Sequence, residues 1–413
     1  MSPAARLLVV NQFGVNVGFY MVVPFLATYL VDDLGYATAV VGAVLGVRVL
    51  AQQGLFLVGG SAADRLGHRP VIILGCGLRV VAFGLFAVVT SPAGIVAAAV
   101  LTGVAGALFN PAVRAYLSRE APSDLAGAFA VFNVAAHAGA LVGPLLGAAL
   151  LGVDFRLVAA VACATFLLLT VAQVLVLPGR AVDAHPDGVL GSWLGVARNR
   201  RFLAFTVCGS AYFALYNQLY LVLPLEAQRV SGTPAAVGAV FVVSTLVGIA
   251  LQVRITAWCA RRFAPGTSVA AGLALMGAGF APLAVAAPLL STAEQLRPLA
   301  ALPALAGTVV FTVGMAMANP FVMQLLAVLG GARLAGTYYG FFYLVSAIVA
   351  AGVSALAGAL VGADGPLPGA AAPACLLAVG LAGAAGTAMM QRRGLLSTRP
   401  AAAAPRPEES ERT

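Results

Sequence analysis

Residues 59–70 read GGSAADRLGHRP, a short polar stretch that joins two apolar runs at residues 39–60 and 70–90. Gly67 permits a tight turn because it has no Cβ. Asp64 can accept hydrogen bonds from the free backbone N–H groups at the start of a neighbouring helix, where the helix dipole favours a carboxylate. The stretch therefore predicts a charged loop between two membrane-spanning helices.

Apolar runs of the same length recur along all 413 residues. A helix needs about 20 apolar residues to cross the hydrocarbon core of a bilayer. The runs predict twelve transmembrane helices, numbered here as spans 1 to 12. Their predicted ranges are 7–31, 39–60, 70–90, 93–115, 125–151, 155–177, 202–226, 235–258, 267–290, 300–328, 336–361 and 370–390.

The composition is that of a membrane protein. Hydrophobic residues make up 61% of the chain and charged residues 9%, whereas soluble domains carry about 25% charged residues. The 23 basic residues are all arginine, and they are scattered rather than clustered with aromatic side chains as on a nucleic-acid surface. The five cysteines stand singly in apolar runs, without the spacing of a disulfide framework or a metal site. We expect membrane lipid as a partner and no nucleic acid.

The arginines also predict the orientation, because positively charged loops stay in the cytoplasm. Seventeen of the 23 fall on the side of the N-terminus, three on the opposite side, and Arg48, Arg79 and Arg254 within predicted spans. Both termini are therefore expected in the cytoplasm. Arginine without lysine, beside so much Ala, Gly and Val, is typical of a GC-rich bacterial genome. The expected location is the inner (plasma) membrane of a bacterial cell.

An internal repeat divides the chain into two halves. Residues 41–44 read VGAV and recur at 237–240, and the same shift carries Asp64 onto Ala260. An Asn-Pro pair in span 4 also recurs in span 10. The predicted units are an N-terminal six-helix bundle (1–177), a cytoplasmic linker (178–201), a C-terminal six-helix bundle (202–390) and a disordered cytoplasmic tail (391–413).

The loop at residues 59–70 resembles the signature loop of the major facilitator superfamily: a glycine, a variable small stretch, Asp-Arg, a second glycine and a closing basic pair. The resemblance implies an all-α integral membrane fold of 12 transmembrane helices in two pseudo-symmetric six-helix bundles, with a substrate site between them at mid-membrane. It also implies a conformational latch that closes the cytoplasmic side against the start of span 11, near Gly336 and Thr337. The implied latch residues are Gly60, Asp64, Arg65, Gly67 and Arg69.

Span 5 carries Gly139, Gly143 and Gly147 at intervals of four, with Pro144 among them. Such glycines let a neighbouring helix approach closely, as any glycine-rich crossing would. The pattern also resembles the span 5 motif of the proton-linked drug-antiporter branch of the superfamily, which favours export. An arginine that the branch commonly holds in span 4 falls here on Ala99, so its proton-coupling role cannot be transferred.

Ionisable and polar side chains inside the spans are candidates for the substrate or proton pathway, because charges in a membrane are costly. A histidine is suited to carrying a proton near neutral pH, although His137 can equally be structural. The arginines can equally be clamps bonded to backbone carbonyls or to Gln52, and the acid that ends span 7 can be a solvated loop charge. The candidates are Asn11, Asn16, Arg48, Arg79, His137, Tyr216, Asn217 and Glu226.

The resemblance favours a secondary active transporter that exports small lipophilic compounds, such as drugs or antibiotics, by proton antiport with alternating access. We expect no cofactor, the proton gradient as energy source, a small molecule and protons as partners, and a monomer. The alternatives are a carrier for a sugar or other metabolite and a non-transporting membrane sensor. The chain has no HExxH, nucleotide-binding loop or Ser/His arrangement within its spans, which argues against an enzyme.

Overall fold

The computed structural model describes residues 2–151, 154–179, 188–231, 235–290, 302–331, 334–360 and 370–396, and within these ranges every regular element is a helix. The helices of the first half are α1 (Pro3–Thr28), α2 (Thr38–Gly54), α3 (Phe56–Leu66), α4 (His68–Val88), α5 (Pro92–Glu120), α6 (Leu125–Leu151) and α7 (Phe155–Val176). Those that follow are α8 (Val189–Arg198), α9 (Arg200–Tyr216), α10 (Val222–Ser231), α11 (Ala235–Arg262), α12 (Pro265–Ala278), α13 (Ala281–Leu290), α14 (Leu302–Gly330), α15 (Ala335–Leu360) and α16 (Ala371–Arg392).

In the described part of the chain, ten helical stretches are long and apolar enough to cross a membrane, and α2 with α3 forms an eleventh that bends by 44°. The remaining predicted span, residues 202–226, is divided into α9, a single 3₁₀ turn (Asn217–Leu219) and α10. Proline explains the break, because Pro224 has no N–H to donate to the carbonyl of Tyr220 and is tolerated in the first turn of a new helix.

Two sets of helices pack among themselves. In the first half α1 lies against α6 and α7, and α4 lies against α5 and α7. In the second half α12 lies against α14 and α16, and α9 lies against α15 and α16. The main contacts between the sets join α3 to α15 and α6 to α11 and α14. The division into bundles at the predicted boundaries stays a prediction.

Glycines set the distance between α1 and α6. A Cβ built on Gly143 would lie 2.8 Å from the backbone oxygen of Val17, and Cβ atoms on Gly139 and Gly147 would overlap carbonyl oxygens of α1 in the same way. The two backbones are therefore in contact along this face, which is the close approach expected of glycines at intervals of four.

Large apolar side chains point outward along many helices, for example Leu168, Leu175 and Ile348. Such a surface suits a lipid environment, where apolar side chains are not exposed to water. The first residues of the predicted disordered tail are ordered instead, because α16 continues to Arg392 and Leu396 is buried. Residues 397–413, together with Asp183 and Asp187 of the predicted linker, lie outside the described residues.

Candidate functional site

Asp64 joins the two sets of helices. Its side chain is buried at the end of α3. Oδ1 accepts a hydrogen bond from the backbone N–H of Gly336 at 2.8 Å, and Oδ2 accepts one from the backbone N–H of Thr337 at 2.6 Å. Both donors belong to the first turn of α15, where backbone N–H groups have no partner within the helix. The contact that the resemblance implies is therefore present, and the dipole of α15 stabilises the carboxylate.

The backbones of α3 and α15 meet beside this carboxylate. A Cβ on Gly60 would overlap the carbonyl oxygen of Gly336, and a Cβ on Gly336 would overlap that of Gly60. Gly67, which ends α3, has a φ of 94°, a conformation that favours glycine. These three glycines allow Asp64 to reach the start of α15.

The two arginines of the predicted latch form bonds elsewhere. Arg65 donates from Nη2 to Oγ of Ser192 in α8 at 3.0 Å, and Arg69 donates from Nη2 to the carbonyl oxygen of Val174 in α7 at 2.7 Å. Trp193 of α8 donates from Nε1 to Oγ of Ser61 in α3 at 2.6 Å. These bonds fix the linker helix α8 against α3, in addition to the contact between Asp64 and α15. The charged loop predicted at residues 59–70 is mostly helical, because α3 continues to Leu66 and α4 begins at His68.

The corresponding helix start in the first half is stabilised differently. By the internal repeat, α6 corresponds to α15 and Ala260 to Asp64. Asp124 precedes α6 and accepts a hydrogen bond at Oδ1 from the backbone N–H of Gly127 at 2.9 Å. This N-cap bond satisfies one of the free N–H groups of α6, whereas Ala260 has no carboxylate to offer to that helix end.

A cavity of about 300 Å³ lies between the two halves. Arg79 and Arg114 line it together with aromatic rings, including those of Phe19 and Phe213. A smaller cavity of about 180 Å³ shares Arg114 and Phe213 with it. Amide side chains are frequent in the lining of the larger cavity: Gln12, Asn16, Gln52, Gln53, Asn110 and Asn217.

The structure brings five of the eight predicted pathway residues to these cavities. Asn16, Arg79, Tyr216 and Asn217 line the larger one, and His137 lines the smaller one.

The other three lie elsewhere. Asn11 is buried outside both linings. Arg48 lies behind the cavity wall, bonded through Nη1 to Oε1 of Gln52 at 3.4 Å. Glu226 is buried in α10 and pairs with Arg229, whose Nη2 lies 2.8 Å from its Oε2. The sequence alone cannot place these side chains, because their direction depends on how the helices pack.

Sequence reasoning missed Arg114, which lies at the inner end of predicted span 4 (93–115) and was counted among the arginines of the cytoplasmic side. Helix α5 continues to Glu120, so Arg114 lies within the helix and lines both cavities. Its Nη1 donates to the carbonyl oxygen of Asn110 at 3.0 Å, and its guanidinium lies 5.2 Å from the ring centroid of Tyr343. The signal was the repeated Asn-Pro pair, which marks the helix that turns a polar face to the cavity.

A second polar feature between the halves was also missed. Asn133 of α6 donates from Nδ2 to Oδ1 of Asn319 in α14 at 3.1 Å, and Asn319 donates from Nδ2 to the hydroxyl of Tyr212 at 2.6 Å. Asn319 belongs to the second of the repeated Asn-Pro pairs. This chain of hydrogen bonds ties three helices together beside the smaller cavity.

The family model of the Major Facilitator Superfamily matches residues 8–355. The chain belongs to the Major Facilitator Superfamily. The resemblance inferred from residues 59–70 is thereby confirmed, and the chain is a multi-pass membrane transporter of this superfamily. Among the described residues, no group of three His, Cys, Asp or Glu side chains could hold a metal ion.

Relatives within the superfamily match most of the chain. An uncharacterized MFS-type transporter of Mycobacterium tuberculosis is 42% identical over 354 residues, covering 84% of this chain and 83% of the relative. The multidrug resistance protein MdtH of Cronobacter sakazakii is 33% identical over 341 residues, covering 82% of each.

A solved structure of the superfamily shares the fold. The human organic anion transporter MFSD10 aligns with a TM-score of 0.68 at 16% identity, covering 96% of this chain and 100% of that chain. At this identity the likeness shows the Major Facilitator Superfamily fold and nothing about substrate. The all-helical membrane fold predicted from the sequence is confirmed.

Proposed function

We propose that this chain exports small lipophilic compounds across the plasma membrane of a bacterium by alternating access. The observation that carries the proposal is the contact between Asp64 and the start of α15, which joins the two halves on one side of a cavity large enough for a small molecule. Similarity to proteins named multidrug resistance protein MdtH supports export of drugs.

The proposed energy source is the proton gradient. His137 lines the smaller cavity, and among the described residues that line either cavity it is the one whose ordinary pKa is close to neutral pH. Because no Asp or Glu is among those described lining residues, His137 is our candidate for the proton carrier. No cofactor enters this scheme.

A carrier for a sugar or other metabolite is the second candidate, and the amide side chains of the cavity favour it. Amides such as Asn16, Gln52 and Asn217 offer donors and acceptors that suit hydroxyl groups. Aromatic rings in the same lining, such as those of Phe19 and Phe213, favour lipophilic substrates instead.

Transport assays separate the candidates. Expression in a bacterial host without its own drug pumps is expected to lower susceptibility to some members of a panel of lipophilic drugs. Purified protein in proteoliposomes is then expected to move such a drug when a pH gradient is imposed. Transport of sugars but of no drug would favour the second candidate, and drug transport indifferent to the gradient would exclude proton antiport.

The remaining parts of the proposal are the orientation and the oligomeric state. We place both termini in the cytoplasm on the distribution of arginines, and we take the transporter to act as a monomer. Cysteine labelling from each side of intact cells and chromatography coupled to light scattering test these two points.

A further inference from the structure

The cavity is positively charged. Arg79 and Arg114 line it, and the residues described along its wall include no Asp or Glu. Arg48 lies directly behind the wall, where it bonds to Gln52, itself a lining residue. Charged side chains within a membrane normally face a cavity and pair with an opposite charge or with backbone carbonyls.

Arg114 has a backbone carbonyl as a partner, whereas no described residue gives Arg79 such a bond. Arg79 is 4% exposed, and its Nε and Nη1 are buried with no hydrogen-bond partner among the described residues. Nε of Arg48 is likewise buried with no partner in the described part of the chain. A buried guanidinium with free donors is costly, since both its charge and its N–H groups have lost water.

Aromatic rings partly compensate the charge of Arg79. Its guanidinium carbon lies 4.5 Å from the ring centroid of Phe109 and 5.8 Å from that of Phe166. The rings attract the positive charge but supply no oxygen acceptor for the unpartnered Nε and Nη1 donors. A carboxylate is the group that best matches such donors.

We propose that the substrate of this transporter carries an anionic group, such as a carboxylate, which binds at Arg79 and Arg114 while its apolar part lies against the aromatic rings of the cavity. The inference rests on the proposed function, since it names the chemistry of the exported compound. A cationic compound would find two positive charges in the cavity and no acidic partner among the described lining residues.

Binding by the full-length purified chain tests this proposal without requiring transport. The probes are 1-naphthaleneacetate, its neutral amide and 1-naphthaleneethylammonium, which share one ring system, with acetate as a probe without the ring. Calorimetric titration is expected to give the carboxylate a Kd at least about tenfold lower than the amide and the ammonium compound. Acetate is expected to bind more weakly than the naphthalene carboxylate.

Substitutions locate the site. Arg79→Gln and Arg114→Gln are each expected to reduce the preference for the carboxylate to about threefold or less. Arg79→Lys is expected to keep part of the preference for the carboxylate, because lysine retains the charge without the planar set of donors. This variant replaces Arg79→Gln in the test if Arg79→Gln does not fold. Arg254→Gln is the matched control, because Arg254 is an exposed arginine of α11 outside both linings.

Four results would overturn the proposal: equal or tighter binding of the amide or the ammonium compound, a preference that survives both glutamine variants, no carboxylate binding at about 1 mM, or loss of that binding when phosphatidylglycerol is added to the micelles. The last would assign the site to a lipid headgroup. If the chain binds the carboxylate but transports no compound in vesicles, only the proposed function is refuted. If it transports compounds without preferring the negatively charged ones, only this inference is refuted.

Discussion

The carboxylate of Asp64 binds Thr337 twice, through the backbone N–H at 2.6 Å and through the side-chain hydroxyl at 2.7 Å. Both residues are buried, so separation of α3 from α15 would remove these hydrogen bonds from the carboxylate and leave free N–H groups at the helix start. The contact is therefore suited to hold the conformation in which α3 and α15 touch, because all of its hydrogen bonds must break when these helices move apart.

Asp64→Asn is expected to abolish export while the protein remains in the membrane. The amide has no charge and one oxygen instead of two, and hydrogen bonds to a charged group contribute about 1.5–3 kcal/mol each, so the closed contact should become at least tenfold less populated. Drug export from cells and the amount of protein in the membrane fraction measure this. Asp124→Asn is the matched control, because Asp124 caps its own helix. Normal export by Asp64→Asn would refute the latch.

Gly143→Ala is expected to destabilise the packing of α6 on α1. The new methyl group would lie 2.8 Å from the backbone oxygen of Val17, and overpacking of this kind costs about 1–3 kcal/mol. The midpoint of thermal unfolding in detergent should fall. Gly46→Ala places a methyl group that no described residue approaches within 4 Å. This variant should not lower the midpoint, because alanine is the better helix former. Equal midpoints for the two variants would contradict this packing.

Asn319→Ala is expected to cost about 1–3 kcal/mol of stability, because it leaves the hydroxyl of buried Tyr212 without the bond it receives. Tyr212→Phe removes the other partner. In the double variant, Tyr212→Phe should lower the free energy of unfolding less than it does in the otherwise unchanged chain, because Asn319→Ala has already removed the bond. Strict additivity in unfolding measurements on the single and double variants would show that this bond does not contribute.

Trp193→Phe is expected to loosen the linker helix. The substitution keeps an aromatic ring but removes the N–H that donates to Ser61, a bond worth about 1 kcal/mol. Trypsin should therefore cut after Arg198, at the end of α8, about fivefold faster, because cleavage follows the population of the open form. Ser61→Ala should have the same effect. An unchanged cleavage rate in both variants would exclude this bond as an anchor.

His137→Gln is expected to remove transport driven by a pH gradient while leaving substrate exchange at equal pH intact. Glutamine keeps hydrogen-bonding capacity but does not titrate near neutral pH. Both modes can be measured in the same proteoliposomes, so the exchange reaction serves as the control for folding and binding. Gradient-driven transport that persists in His137→Gln would exclude His137 as the proton carrier.

Much of the fold followed from the sequence, because crossing a bilayer requires about 20 apolar residues in a row. That requirement located the long helices. The main difference from the prediction lies at Pro224. This proline is in the first turn of α10, a new helix within a span that was predicted to be continuous. The site was less predictable. In a membrane protein, faces that contact lipid and faces that contact other helices are both apolar, so hydropathy does not reveal which side of a helix meets the cavity.

The sequence by itself determined the number and approximate place of most helices, because crossing a bilayer requires a run of apolar residues. The resemblance of residues 59–70 to a known signature loop implied the superfamily and the pairing of Asp64 with the start of α15. Only the tertiary structure decided that Arg114 lines the cavity while Asn11 and Glu226 do not. It also decided that Arg65 and Arg69 bind α8 and α7. These outcomes depend on the rotation and spacing of packed helices, which residues distant in sequence fix together.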